Sequence, residues 1–247
     1  AAPADQTSPP VDGSSLINDT GRGDEDVTVL PPGDISEPPP DNTVVEPHEF
    51  NEAASFLSHV ALAGVGNEPA CCFDFNGDGA MDNVLGEFAA STESLVGEVG
   101  ATNFIMDEMI LGGEYAPIIE YVGLDSVTDD GSIPLHTYLG LDSDGDLADN
   151  LAGTGEFGVK AKGLGANGAT PQATLKGRIE AGTLSVKGTG TRVLVPVLPV
   201  IWVELPLDEV HIEAPVTIGA NGLGLATGAG KLGGIISLES FAGAMNE

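Results

Sequence analysis

Residues 173–188, "ATLKGRIEAGTLSVKG", show the alternation from which the predicted fold follows. The apolar residues of this stretch occupy every second position, so each extended segment presents one apolar face to a core. The residues that share these faces are Leu175, Gly177 and Ile179, and then Leu184 and Val186. Because residues 193–197, 203–207 and 210–214 alternate in the same way between Gly, Thr and Asn-Gly turns, the sequence predicts an antiparallel β-sandwich or barrel.

Upstream of this region, the pattern remains β for two segments and then becomes helical. "APIIEYVGL" (116–124) and "SIPLHTYLGL" (132–141) are each predicted to form a strand. Apolar residues recur at helical spacing in three earlier stretches, 48–66, 83–98 and 102–111, and glycines end the first and the third. The sequence therefore predicts an α+β fold in which a short helical segment precedes the β region.

The beginning of the chain differs in composition from the rest, since it contains "SPP", "LPPG" and "EPPP", many acids and few large apolar residues. Such a segment buries too little apolar surface to fold alone, but residues 26–32 and 42–47 can each add a short strand to a sheet edge. We predict three parts. Residues 1–47 form an extended acidic, Pro-rich arm, residues 48–114 a helical segment with a candidate calcium loop, and residues 115–247 an antiparallel β domain.

The formal charge of −30 lies entirely in the first part of the chain. Residues 1–159 hold 31 acidic side chains and one basic one, whereas residues 160–247 hold seven of each. We expect no nucleic-acid partner, because phosphate binding needs a patch of Lys and Arg. An acidic surface attracts cations or basic partners. Adaptation to salt is a second explanation of the acidic composition, although it does not account for the end of the charge near residue 159.

No uncharged apolar run approaches the ~20 residues that span a bilayer, so no transmembrane segment is predicted.

A candidate calcium loop, the first acidic loop, occupies residues 74–82 with the sequence "DFNGDGAMD". Oxygen-bearing side chains fall at positions 1, 3, 5 and 9, a glycine falls at position 6, and the residue at position 7 normally contributes its carbonyl. These predicted ligands are Asp74, Asn76, Asp78, Ala80 and Asp82. Calcium takes six to eight oxygen ligands, so a short chain that carries them must curl around the ion.

The spacing of this loop resembles the calcium loops of EF-hands, dockerins and thrombospondin type 3 repeats. An EF-hand places a bidentate Glu at position 12, where this chain has Leu85. The "DxNxDGxxD" spacing is closer to the thrombospondin-type loop. The resemblance therefore implies a structural calcium site and not a signalling EF-hand.

A second acidic loop, residues 142–150 within "LDSDGDLADN", is another candidate calcium site. Its predicted ligands are Asp142, Asp144, Asp146 and Asp149. Its glycine lies at position 4 and not at position 6, so the match is weaker, and an acidic hairpin turn is the alternative. "DSVTDDG" (125–131) is a third and weaker candidate.

The adjacent cysteines Cys71 and Cys72 directly precede the first acidic loop. Three states are open: a bond between the two, two free thiols, or bonds to neighbouring chains. Adjacent Cα atoms are ~3.8 Å apart, which is below the usual disulfide span, but the tight bend of the loop favours the vicinal bond. The predicted calcium loop suggests an extracellular, oxidising setting.

Catalytic patterns are not recognisable in the sequence. The four histidines, His48, His59, His136 and His211, form no zinc-binding pattern, and no nucleophile elbow or P-loop is present. His211 lies between Glu209 and Glu213, where strand alternation predicts three polar groups on the solvent face. Carboxylates are so frequent in the acidic part that no pair is distinguished as a glycosidase dyad, and we expect no enzymatic activity.

Two longer motifs, "CFDFNGDGAMDNVLGEF" (72–88) and "GKLGGII" (230–236), resemble those of secreted, lipoprotein-like proteins of proteobacteria. In those proteins a "DxDGDGxxDN" loop precedes a helix, and an "NGxLGG" motif follows a run of apolar strands. The resemblance covers roughly residues 71–240 and implies an exported protein, extracellular or at the cell surface, with no assigned reaction.

The sequence therefore favours an exported, calcium-stabilised structural protein, a subunit of an extracellular filament or surface assembly. Its partner would be a second copy of the chain, on which the N-terminal arm packs by adding a strand to a sheet edge. The alternative is a calcium-dependent adhesin or carbohydrate-binding protein. A hydrolase with carboxylate chemistry is a further rival.

Overall fold

The computed structural model describes residues 44–47, 49–50, 53–66, 71–97, 99–152, 154–165, 168, 170–198, 201–219, 222–226 and 229–245. All of them belong to one compact unit, Pro39–Glu247. The strand predicted at 26–32 and His48 lie outside the described residues.

The described residues form twelve strands, four α-helices and one 3-10 turn at Ala161–Gly163. The strands are β1 (Val44–Pro47), β2 (Ala53–Phe56), β3 (Ala116–Tyr121), β4 (Asp130–Asp142), β5 (Phe157–Lys160), β6 (Ala173–Glu180), β7 (Thr183–Gly188), β8 (Arg192–Leu198), β9 (Ile201–Pro206), β10 (Glu209–Gly219), β11 (Gly222–Leu225) and β12 (Lys231–Ile235). The helices are α1 (Val84–Val96), α2 (Ala101–Leu111), α3 (Leu147–Asn150) and α4 (Leu238–Ala244). The fold is thus rich in β structure with a minority of helix, as the sequence predicts.

Ten strands form one antiparallel sheet, the main sheet, in which β1, β5, β4, β6, β7, β10 and β11 follow one another. Strand β3 pairs with β4 and carries β2, while β12 pairs with β10. Strands β2 and β11 approach each other across the sheet. Ser55 Oγ on β2 donates a hydrogen bond of 2.7 Å to the Leu223 carbonyl on β11. The main sheet is therefore nearly closed, which is compatible with the predicted sandwich or barrel.

The alternation in residues 173–188 produces the centre of this sheet. Strands β6 and β7 pair from Glu180↔Thr183 outward, and their inward residues Leu175, Ile179 and Leu184 are at most 1% exposed. Gly177 lies on the same face, where an added Cβ would lie 2.6 Å from Leu135 Cδ1. The glycine thus leaves room for a buried leucine of the adjacent strand β4.

The helix predicted over residues 48–66 is wrong. In the described part of that range, residues 53–56 form β2, which pairs with β3 from Ala53↔Tyr121 to Phe56↔Ile118, and residues 57–66 are irregular. The apolar residues of the segment contact three different clusters: Phe56 packs against one buried cluster of the main sheet, Leu57 against another, and Leu62 against that of the β8–β9 hairpin. A helix would present them all on one face, so the three separate contacts favour extended chain.

The other two predicted helices are confirmed as α1 and α2. Asn83 caps α1, since its side-chain oxygen accepts a hydrogen bond from the Gly86 amide, and Gly97 ends the helix in the left-handed conformation. The separate hairpin of β8 and β9 buries Val195, Val203 and Leu205 together with side chains from α1 and α4. Helices α1 and α4 therefore form a second layer over this hairpin.

Asp130, at the start of β4, stabilises the turn before it through hydrogen bonds. Its ionisation makes the free energy of unfolding depend on pH under acidic conditions. Its two carboxylate oxygens accept hydrogen bonds from the amides of Asp125 (3.0 Å) and Ser132 (3.1 Å), which lower the pKa of this carboxyl. A lowered pKa contributes stability above the ordinary Asp value of about 3.9, and this contribution is lost as the pH falls through the folded-state pKa.

We therefore expect Asp130→Asn to reduce the loss of stability that the protein shows on acidification below about pH 4. Chemical denaturation at several pH values between about 2.5 and 6 measures the difference. Glu108→Gln, which removes one exposed carboxylate on α2, is the matched control and should keep the wild-type slope. Equal slopes for the two variants would contradict the assigned role of Asp130.

Candidate metal sites

The first acidic loop is closed at its base by the backbone. Asp82 and Phe73 form an isolated antiparallel bridge, in which the Asp82 amide donates to the Phe73 carbonyl at 2.9 Å. Asp82 also reaches back into the loop, since its Oδ2 accepts from the Phe75 amide at 2.8 Å. The last predicted ligand is thereby held against the first part of the loop.

Side chain to backbone hydrogen bonds then wind the chain between these ends. Asp74 accepts from the amides of Gly77 (2.6 Å) and Gly79 (2.9 Å), one at each carboxylate oxygen. Asn76 and Asp78 each accept from the amide two residues further on, at 2.8 and 2.7 Å. Gly77 and Gly79 have φ values of 77° and 89°, which glycine adopts without strain. The five predicted ligands therefore lie on one tightly curled and mostly exposed turn.

Two aromatic side chains attach this loop to the end of the main sheet. The rings of Phe73 and Phe75 lie 5.6 and 4.9 Å from the His211 ring on β10. An added Cβ on Gly233 in β12 would lie only 2.7 Å from Phe73 Cδ2, and Lys231 Nζ lies 4.7 Å from the centre of the same ring. The motif "GKLGGII" thus packs directly on the first acidic loop, which the sequence could not indicate.

His211 departs from its predicted place on the solvent face. It lies under Phe75, and its side chain is 16% exposed. Its Nε2 lies 2.7 Å from Glu209 Oε1. The ring is therefore part of the contact between loop and sheet.

The residue that follows the first acidic loop connects it to the helical layer. Asn83 caps α1, and its Nδ2 donates to the Ala63 carbonyl at 3.1 Å. At the other end of the loop, Cys71 and Cys72 are bonded to each other, which is the first of the three predicted states. The loop thus lies between a covalent constraint, a strand and a helix.

The second acidic loop begins at the last residue of β4 and includes α3. Asp142 Oδ1 accepts from the amides of Asp144 and Gly145, both at 3.1 Å, and Asp144 Oδ1 accepts from the Asp146 amide at 2.8 Å. Asp146 caps α3 by accepting from the Ala148 amide at 3.1 Å. Each of these three carboxylates therefore has one oxygen engaged in holding the loop.

The fourth predicted ligand of this loop, Asp149, lies close to the other acids. Burial of the carboxyl and the negative charges of Asp144, Asp146, Asp142 and Glu156 raise the pKa of Asp149. The pKa of Asp144 is lowered, chiefly because its carboxylate accepts the Asp146 amide. Glu156 was not among the predicted ligands, because it lies beyond the acidic motif in the sequence.

No three His, Cys, Asp or Glu side chains in the described ranges are arranged as a metal-binding group. Asparagine and carbonyl oxygens, which calcium also uses, are outside that statement. Calcium at either loop remains a prediction. In the third candidate stretch, 125–131, Asp130 accepts the amides of Asp125 and Ser132, and Asp129 accepts the amide of Ala181 in the turn between β6 and β7.

A buried polar cluster in the main sheet was not predicted. Glu120 on β3 is 4% exposed, and its Oε2 lies 3.0 Å from both His136 Nδ1 and Tyr138 Oη on β4. Burial and the hydrogen bond to this carboxylate raise the pKa of Tyr138. Glu120 and His136 are direct cross-strand partners, so the cluster follows from a strand register that the sequence does not reveal.

A cavity of about 1980 Å³ extends from the first acidic loop into the main sheet. Its lining is mainly apolar and includes Phe73, Phe75, Leu207, Ile212 and Leu223.

No described helix combines the length and the apolar character that crossing a membrane requires. Comparison of the chain with protein-family models, with curated proteins and with solved structures finds no match.

Proposed function

We propose that this chain is an exported, calcium-stabilised structural protein without enzymatic activity, and that its N-terminal arm joins copies of the chain in an extracellular filament or surface assembly. The observation that carries the proposal is strand β1. Residues 44–47, the last of the arm, pair antiparallel with the edge strand β5, with Val44 opposite Lys160 and Pro47 opposite Gly158. The edge of β5 therefore accepts a strand from the arm.

The same pairing made with β5 of another copy would link two chains by strand addition. Main-chain hydrogen bonds supply the affinity in this mode of assembly, so the arm needs few apolar side chains. This agrees with the composition of residues 1–47, which is rich in proline and acids. An edge strand of only four residues is also short enough to exchange between copies.

The surroundings of the first acidic loop support a structural role in preference to sugar binding. A carbohydrate site needs aromatic faces that remain open to the ligand. Phe73 and Phe75, the aromatic residues within or beside this loop, instead pack on His211 and Gly233. The bond between Cys71 and Cys72 beside the loop supports an oxidising, extracellular setting.

Two N-terminal deletions test the assembly. Removal of residues 1–47 takes away β1, whereas removal of residues 1–41 leaves it in place. We expect the full chain and the shorter deletion to assemble, and the longer deletion to give a folded monomer. Light scattering coupled to gel filtration, electron microscopy and far-UV circular dichroism measure mass, shape and folding. Assembly of the longer deletion at the wild-type level, or a monomeric full chain, would refute the proposal.

A further inference from the structure

We propose that the second acidic loop, together with Asn150, Gly155 and Glu156, forms a calcium site that is separate from the first acidic loop. This inference rests on the proposed function only in the idea that calcium stabilises the fold, because the residues of the two sites differ. The proposed ligand is a hard divalent cation, which binds oxygen atoms.

The first support is the concentration of negative charge at the second acidic loop. Asp142, Asp144, Asp146 and Asp149 all lie on this one loop, and Glu156 follows it directly before β5. The Oδ1 of Asp149 is buried and accepts no hydrogen bond within the described part of the chain. A bound cation would satisfy this oxygen and offset the charge of the neighbouring acids.

The second and independent support is Asn150, the last residue of α3. This residue is 5% exposed, yet neither its Oδ1 nor its Nδ2 has a hydrogen-bond partner among the described residues. Buried amide groups in proteins are nearly always satisfied, and each exception calls for an explanation such as an ion. A neutral amide oxygen is also a common calcium ligand.

Gly155 shows that Asn150 and Asp149 face the same space. A Cβ added to Gly155 would lie 2.5 Å from Asn150 Oδ1 and 3.1 Å from Asp149 Oδ1. The two unsatisfied oxygens therefore both lie against position 155, where a side chain would also collide with Asn150 Cα, 2.9 Å from the same point. Glycine at this position lets the backbone pass close to both residues.

The donor set selects the class of ion. All the side chains concerned offer oxygen, and neither histidine nor cysteine is among them, so zinc and copper are disfavoured. Calcium accepts six to eight oxygens in irregular geometry, whereas magnesium demands near-ideal octahedral geometry. A site built from a loop, a short helix and a following residue suits calcium better.

The position of the site connects it to assembly. The second acidic loop belongs to the connection from β4 to β5, and the Ser143 amide donates to the Glu156 carbonyl at 2.9 Å just before β5 begins. Asp142 on β4 pairs with Phe157 on β5. An ion held here would fix the strand that accepts β1.

Calorimetric titration of the metal-stripped full chain with CaCl2 tests the site. We expect the double variant Asp74→Asn/Asp78→Asn, which disables the first acidic loop, to retain one calcium site. In that background, Asn150→Leu and Gly155→Ala, neither of which changes the charge, should each weaken binding by at least about tenfold. Glu180→Gln, which removes an exposed carboxylate elsewhere, should not weaken it.

Far-UV circular dichroism checks that each variant is folded, and Asp149→Asn is a nearly isosteric alternative that should also lose the site. Calcium binding by the Asn150→Leu, Gly155→Ala and Asp149→Asn variants at the affinity of their background would overturn the inference, as would a double variant that binds no calcium. Either result leaves the deletion test of assembly unaffected, so the two failures are distinguishable.

Discussion

Removal of calcium with EGTA should lower the free energy of unfolding by about 4 kcal/mol for each site that calcium occupies at a thousandfold excess over its Kd. The physical reason at the first acidic loop is the proximity of Asp74, Asp78 and Asp82. Unit charges 4 Å apart repel by about 1 to 4 kcal/mol, depending on the effective dielectric, and a bound cation reverses this repulsion. Denaturation by urea in CaCl2 and in EGTA measures the difference.

Two controls separate this effect from general screening of the acidic surface. Magnesium chloride at the same ionic strength should restore little of the stability, because magnesium fits an irregular oxygen cage poorly. The Asp74→Asn/Asp78→Asn variant should lose the share of the calcium response that belongs to its loop. If neither calcium nor EGTA changed the unfolding transition of the wild-type protein, calcium would be ruled out as a stabilising ligand.

Substitution of Gly233 by valine should destabilise the protein by about 3 kcal/mol, at the upper end of the range for overpacked sites. The new Cβ would lie 2.7 Å from Phe73 Cδ2 and 3.3 Å from Phe75 Cε2. Both rings also contact His211. The loop must therefore move away from β12, and we expect the calcium response of the variant to shrink as well.

Gly224→Val on β11 is the matched control for this substitution. It also introduces valine for glycine in an antiparallel strand, but the nearest atom to its new Cβ is Thr217 Oγ1 at 4.0 Å. A β-branched residue in such an open position should be neutral or slightly stabilising. If both variants lost equal stability, the contact of Gly233 with the loop would not be the cause.

The strands were predictable because alternation is a local signal. Leu175, Ile179 and Leu184 could be assigned to one face without knowledge of the partner strands. The predicted helix at 48–66 failed because its apolar residues contact three separate clusters, a feature that depends on the whole fold. Helical spacing is reliable only when all the apolar residues of a segment face the same core.

The candidate sites were predictable in part for a similar reason. Asp or Asn residues at alternate positions mark both acidic loops, but the sequence cannot show that Phe73 packs on Gly233. Asn150 lies within the second acidic loop, but the sequence does not identify a neutral amide as a candidate ligand. Its burial in the structure does. Glu120 and His136 required the strand register, which tertiary pairing decides.

The attachment of the arm has a mechanical consequence. In a filament joined by strand addition, tension between neighbouring subunits passes through the short ladder between β1 and β5, which spans only Val44 to Pro47. The far longer strand β4, with 13 residues, is held on both sides, by β3 on one and by β5 and β6 on the other. Under load the joint would part before the subunit unfolds, and a parted joint can re-form.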